Sequence, residues 1–364
     1  MKIKLLVAAV VVLGGLFFLN RYFGQKKEYI AGVPASATPA SGEVRQHFTV
    51  GFLPVTCHLT CPVTAWITQH SEQGSVFDTQ KFTDFPSMKE ALLARKIDAT
   101  FMNMPLAMKL VADGTPVKIV YLGHRDGSAI MVRTDSDIKD FEGLRGKTVA
   151  IPGRFSNQNI LMLKKMKELG MKEGDIVLKE LPPPEHPSAL AAKAIDAYII
   201  GEPHAAKAEM EGYGRVLYQC GDLWPNFISC GLVVRQEVID NNRPMVEELV
   251  RGIATSGKWL DNDLDKGAQH RKDASIVAGK VFYNQKPELL AFVLTKDVKR
   301  VKYTDLKPPK DRFDEMMNLF ADFNLIPKRM KFEEYADTSF APDLETLAVP
   351  FDRLPEVDKV AAKQ

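Results

Sequence analysis

Residues 91–114 read ALLARKIDATFMNMPLAMKLVADG and residues 189–212 read ALAAKAIDAYIIGEPHAAKAEMEG, one pattern used twice at a constant offset of 98. Ten of the 24 positions agree without a gap, among them Ile97-Asp98-Ala99 with Ile195-Asp196-Ala197 and Pro105 with Pro203. In each copy an Ala/Leu-rich helical end leads into a short β-type run, Asp98 to Met102 and Asp196 to Ile200, and the proline falls where a following helix begins. Proline is tolerated in a first helical turn because its missing N–H has no helical partner there. Asn103-Met104-Pro105 and Gly201-Glu202-Pro203 therefore read as strand-to-helix turns. Open α/β sheets bind ligands at the carboxyl ends of parallel strands, beside helix N-termini, so both turns are candidate ligand-facing positions.

Outward from the first copy, strands are expected at His47 to Leu53, Thr79 to Phe85, Val117 to Leu122 and Ser128 to Arg133, with helices from Pro62 and from Pro86 to Lys96. Around the second copy, strands are expected at Lys147 to Ile151, Ile176 to Leu181, Arg215 to Tyr218 and Phe227 to Val234, with a helix over Ser156 to Leu169. Strands alternating with helices are the pattern of mainly parallel sheets covered by helices, an α/β class. After Pro244 the pattern turns helical. If this tail packs back on the first lobe, residues 47–133 with 232–345 form lobe 1 and residues 134–231 form lobe 2, leaving 346–364 as a terminal tail. Two chain crossings between lobes make a hinge.

A chain of 364 residues is long enough for two cores. With 48 basic and 46 acidic residues the net charge is +2, and no basic stripe is interleaved with aromatics, which argues against a nucleic-acid partner. Four cysteines are too few for a disulfide scaffold. At the N-terminus, Lys2 and Lys4 precede an apolar run of 15 residues from Leu5 to Leu19, and Arg21, Lys26 and Lys27 follow. Residues 1–30 read as an export signal, an uncleaved anchor or a cleaved peptide, and residues 31–46 as a flexible linker.

Several stretches together resemble a known family, the periplasmic solute-binding components of ABC importers for nitrate, sulfonate, taurine, bicarbonate and pyrimidine-type substrates. They are Val50-Gly51-Phe52-Leu53-Pro54, residues 91–99, residues 114–120, Phe141-Glu142-Gly143-Leu144-Arg145-Gly146-Lys147-Thr148-Val149-Ala150, and Ile195-Asp196-Ala197 with Glu202-Pro203. The likeness spans about residues 47–260. It implies a two-lobed periplasmic-binding-protein fold of type II, with mostly parallel sheets, flanking helices and a helical C-terminal tail. It further implies a monomeric binder with no cofactor and no catalytic or metal-binding residue. Such a binder closes on a small polar or anionic solute and hands it to an ABC permease, in the periplasm or tethered on the outer face of the cytoplasmic membrane. The first loop departs from the family's usual one in reading Thr56-Cys57-His58-Leu59-Thr60-Cys61-Pro62.

The candidate ligand-binding residues are Cys57, His58, Cys61, Asn103, Met104, Arg154, Ser156, Asn157, Glu202 and His204. Ser156 or Asn157 suits a helix N-cap, and free N–H groups at that helix start suit an anion. Arg154 is either a carboxylate or sulfonate clamp or a solvated loop residue. Glu202 either faces the ligand or caps its own helix, and His204 faces either the cleft or solvent. Cys57, His58 and Cys61 admit three readings: a soft-metal site, a Cys57–Cys61 disulfide, or a cleft wall of small polarizable groups. No G-x-S-x-G, H-E-x-x-H, Walker A or G-x-G-x-x-G pattern occurs. Two alternatives remain beside the transport reading: an enzyme of the same fold, akin to pyrimidine-precursor synthesis and using Cys57, His58 and Glu202, and a membrane-tethered ligand sensor.

Overall fold

Alternation buries Phe48, Val50 and Phe52 on β1 (His47–Phe52) while His47 stays exposed, the signature of a strand laid on a core. The computed structural model describes residues 45–349 other than Gln73, and residues 352–363. The export segment expected at 1–30 lies outside the described residues. Among them, no helix is long and apolar enough to cross a membrane.

After β1 come a 3-10 turn (Thr56–His58), α1 (Thr60–Gln69), β2 (Val76–Lys81), α2 (Phe85–Leu93), β3 (Ala99–Asn103), α3 (Met104–Ala112) and β4 (Val117–Leu122). The chain then crosses through β5 (Arg125–Asp126) into β6 (Ser128–Arg133). Next follow β7 (Thr148–Ile151), α4 (Asn157–Glu168), β8 (Val177–Glu180), α5 (His186–Ala191), β9 (Ala197–Gly201), α6 (His204–Met210), β10 (Gly214–Gln219) and α7 (Cys220–Leu223). It returns on β11 (Cys230–Arg235) and continues in α8 (Gln236–Asn241), α9 (Arg243–Asp261) and α10 (Gln269–Val277), the last running on as a π-helix over Ala278–Tyr283. The remainder comprises α11 (Pro287–Thr295), β12 (Val301–Lys302), α12 (Lys310–Asp322), α13 (Phe332–Tyr335) and α14 (Val357–Ala362).

Two five-stranded sheets result, ordered β2-β1-β3-β11-β4 and β10-β6-β9-β7-β8. Each is parallel except for one antiparallel strand, β11 in the first and β6 in the second, and these are the strands that arrive from the other lobe. The repeat supplies the central strand of each sheet, β3 and β9. Its shared residues do the same work twice. Asp98 Oδ2 accepts from Thr49 N at 2.8 Å and Asp196 Oδ2 from Thr148 N at 2.8 Å, each pinning the central strand to its parallel neighbour. Ile97 and Ile195 are buried beneath. Both following helices end two residues before a glycine with positive φ, Gly114 at 89° and Gly212 at 81°, a left-handed conformation that a β-carbon penalises.

Three expectations need correction. Ser128–Arg133 belongs to the second sheet, so the crossing precedes residue 134 by one whole strand, because β6 is the first segment laid on lobe 2. Likewise the second sheet ends at Gln219, and the return strand enters the first sheet at Cys230 instead of 232. The helical tail does not rest on the first lobe alone. α11 packs against α6, and α12 packs against both α3 and α4, with Phe320 meeting Phe155 edge-on at 5.9 Å. The apolar faces of α11 and α12 thus cover both lobes, and β12 pairs with β5 as a third strand of connection between them.

Candidate functional site

Where the two sheets meet, the segments that follow β1, β7 and β9 make hydrogen bonds between the lobes and to the crossing segments. The 3-10 turn after β1 is buried in full. Thr56 donates to the Glu202 carbonyl twice, from its backbone N–H at 2.8 Å and from Oγ1 at 3.1 Å, and Oγ1 also lies 3.1 Å from His124 Nε2. From the other lobe, Asn157 Nδ2 donates to the carbonyls of Ile228 and, at 2.7 Å, Ser229. Gln158 Nε2 donates to Ser128 Oγ at 3.1 Å. The crossing strands are knitted beside them, with Gly123 N donating to Cys230 O at 2.9 Å and Asp126 N to Phe227 O at 2.8 Å.

At the floor of this junction lie two sulfurs. Cys57 Sγ and Cys230 Sγ are hydrogen-bonded at 3.1 Å, and one donor atom each of Cys57, His58 and Cys230 falls within 4.8 Å of the others. Burial opposes ionisation of Cys57, yet the Cys230 hydrogen bond and the adjacent His58 and His124 rings outweigh it and hold its thiol well below the ordinary value. Burial and the Cys57 sulfur push Cys230 well above it. His58 Nδ1 accepts from Leu53 N at 2.7 Å, so the neutral ring carries its proton on Nε2, which has no hydrogen-bond partner among the described residues. In this arrangement His58 offers a donor, and only the two sulfurs remain as soft-metal ligands.

The other sequence candidates divide. Asn103 Oδ1 lies 3.6 Å from Cys230 Sγ, within the junction. Ser156 is the N-cap of α4, accepting from Asn159 N at 3.2 Å while donating to Gly153 O at 2.6 Å. Met104 is not at the junction surface: its sulfur and methyl lie against Gly231 in the first lobe's core, because Gly231 leaves them room. Arg154 is exposed, its guanidinium 5.6 Å from the Phe155 ring, and it is not brought to the junction. Cys61 is buried in α1, its thiol raised by burial alone, and Cys57 pairs with Cys230 in its place. The Glu202 carboxylate turns to its own helix, where Oε2 accepts from Ala206 N at 2.8 Å, and to Arg300 at 3.3 Å. Burial pushes its pKa up to about 7 against the pull of Arg300. His204 is drawn into the second lobe's interior, where its carbonyl accepts from Tyr198 Oη at 3.3 Å and burial and His186 depress its pKa to about 3.

His124, Ser128 and Ser229 belong to the junction and carry no local signal in the sequence. They sit on the crossing segments, and only the pairing of β5 with β12 and of β11 with β4 brings those segments between the lobes. Among the described residues, His58 Nε2 and Thr60 Oγ1 on the segment after β1, and Asn157 Oδ1 and Gln158 Oε1 on the segment after β7, are buried without a hydrogen-bond partner. Buried polar atoms are nearly always satisfied, so each of these is a candidate contact for a polar molecule.

The NMT1-like family model matches residues 41–278, well over half of the chain. The chain belongs to the NMT1-like family. Among curated relatives it is 25% identical over 269 residues to the nitrate import ATP-binding protein NrtC of Synechocystis sp., covering 68% of this chain and 40% of that one. It is 26% identical over 212 residues to a putative aliphatic sulfonates-binding protein of Bacillus subtilis, covering 56% of this chain and 61% of that one. The chain thus spans about half the length of the relatives it matches. Among solved structures, the periplasmic nitrate-binding protein NrtA of Synechocystis PCC 6803 superposes with a TM-score of 0.72 at 16% identity, over 85% of this chain and 91% of that one, which establishes the shared fold.

Proposed function

We propose that this chain is the extracytoplasmic solute-binding component of an ABC importer, closing its two lobes on a small polar or anionic solute of the nitrate, sulfonate, taurine and bicarbonate class. The partner is an ABC permease, the body acts without turnover, and residues 1–30 hold it at the outer face of the cytoplasmic membrane. The observation that carries this reading is that the Thr56–Glu202 bonds join the lobes while, among the described residues, His58 Nε2 and Thr60 Oγ1 after β1 and Asn157 Oδ1 and Gln158 Oε1 after β7 are buried and unpartnered. The donors His58 Nε2–H and Thr60 Oγ1–H, with the N-termini of α1, α3 and α4, suit oxygens of an oxyanion. The acceptors Asn157 Oδ1 and Gln158 Oε1 suit a solute that also carries an N–H or O–H group.

Opening separates Thr56 from Glu202 and admits solute. Closure restores those bonds and satisfies the unpartnered atoms. A solute bound only by the folded, closed form raises the melting temperature by mass action. Thermal-shift measurements against nitrate, methanesulfonate, taurine and bicarbonate test this: a concentration-dependent rise with at least one is expected. Absence of any shift, or consumption of the solute in the same wells, would overturn the reading in favour of a Cys57-based enzyme.

A further inference from the structure

We propose that Cys57 and Cys230 are a redox pair that closes to a disulfide outside the cytoplasm, cross-linking the turn after β1 to the start of β11. Their sulfurs are 3.1 Å apart, about 1 Å beyond bonded sulfur–sulfur distance, so small side-chain movements suffice. The backbones are already held close. A β-carbon at Gly123 would strike the Cys57 carbonyl and lie 3.3 Å from the Cys230 carbonyl, so both cysteines pack against one bare α-carbon. Cys61 and Cys220 have no sulfur contact among the described residues, and burial raises both thiols, so the Cys57–Cys230 pair is set apart by geometry.

The oxidant is a small-molecule or protein disulfide. When the lobes open, the Cys57 thiolate attacks one sulfur of R–S–S–R, forming Cys57–S–S–R and releasing one thiolate. Cys230 then loses its proton to solvent and attacks the Cys57 sulfur, forming the internal bond and releasing the second thiolate. Two protein thiols lose two electrons, and the external disulfide becomes two thiols. The bond closes a loop of chain from 57 to 230 that contains the whole second sheet, so it restrains the unfolded chain and raises the melting temperature.

The reduced full chain is treated with glutathione disulfide, unfolded, and assayed for free thiols and cross-linked peptides by tandem mass spectrometry. Free thiols are expected to fall from four to two, with a Cys57–Cys230 linkage lighter by two hydrogen atoms and a higher melting temperature than the reduced protein. The linkage persists in Cys61→Ala and Cys220→Ala and disappears in Cys230→Ala. Four retained thiols, a stable glutathione adduct on Cys57, or a bond through Cys61 would overturn the proposal. The assay needs no solute, so its outcome is independent of the transport reading.

Discussion

Thr56 and Glu202 stand on opposite lobes and are joined twice, the backbone N–H and the hydroxyl of Thr56 both donating to the one Glu202 carbonyl at 2.8 and 3.1 Å. The acceptor is main chain, so the contact depends on the fold of the Gly201-Glu202-Pro203 turn and not on the Glu202 side chain. That carboxylate is occupied behind the turn with Ala206 N and Arg300, which hold it in place.

Thr56→Val keeps the shape and the backbone bond but removes the hydroxyl bond to Glu202 and the contact with His124. A net hydrogen bond contributes about 1 kcal/mol, so affinity for the solute giving the largest thermal shift is expected to fall by roughly 5-fold. Calorimetric titration checks this, and unchanged affinity would show that the hydroxyl plays no part in closure.

Asn157→Ala leaves the buried carbonyls of Ile228 and Ser229 without their side-chain donor. Each unsatisfied group costs about 1–3 kcal/mol, so the urea midpoint is expected to drop with little change in slope. The solute-induced thermal shift should shrink as well, since Asn157 Oδ1 is also lost. A variant as stable as the parent would remove Asn157 from the junction's support.

Glu202 has its pKa raised to about 7 from an ordinary 4.5 because burial disfavours the charged form. The folded state therefore holds this proton more tightly than the unfolded chain, so the contribution is fully present below pH about 4.5 and is lost as pH rises through about 7. The shift corresponds to roughly 3 kcal/mol at most. Chemical denaturation across this range is expected to show the loss in the parent and a flatter difference curve in Glu202→Gln. Parallel curves for the two proteins would refute it. The opposite trend from His186, whose pKa burial depresses to about 4, is common to both and cancels in the comparison.

Gly123→Ala places a β-carbon on the Cys57 carbonyl, where only backbone movement relieves the clash. Overpacking of this kind costs typically about 1–3 kcal/mol, and here it spreads the first crossing away from the turn that carries Thr56 and Cys57. Lower stability together with weaker solute binding is expected, measured by denaturation and calorimetry. Full retention of both would mean that the close approach is not needed.

The repeat was the most legible feature of the sequence because it records local needs. Asp98 and Asp196 bond neighbouring-strand N–H groups, the paired isoleucines fill space beneath, and Gly114 and Gly212 take positive φ. The isoleucines and glycines serve one helix-strand-helix unit and each aspartate reaches only the next parallel strand, and because the same needs arise twice, residue type and spacing reveal them. Strands β4 and β6 fell on their expected residues for the same reason, each a short run rich in apolar and β-branched side chains. Helix α4 began where Ser156 announced its cap.

The sequence by itself determined two central strands with their turns, and hence an α/β chain with two sheets whose strand ends bear the polar loops. Only the tertiary structure decided which sheet β6 joins, because an apolar strand carries no mark of the edge it pairs with. Tertiary packing likewise laid α11 and α12 across both lobes and paired Cys57 with Cys230 instead of with Cys61. Residues as far apart as 57 and 230 meet through strand order and chain crossing, which are properties of long-range packing that no local stretch encodes.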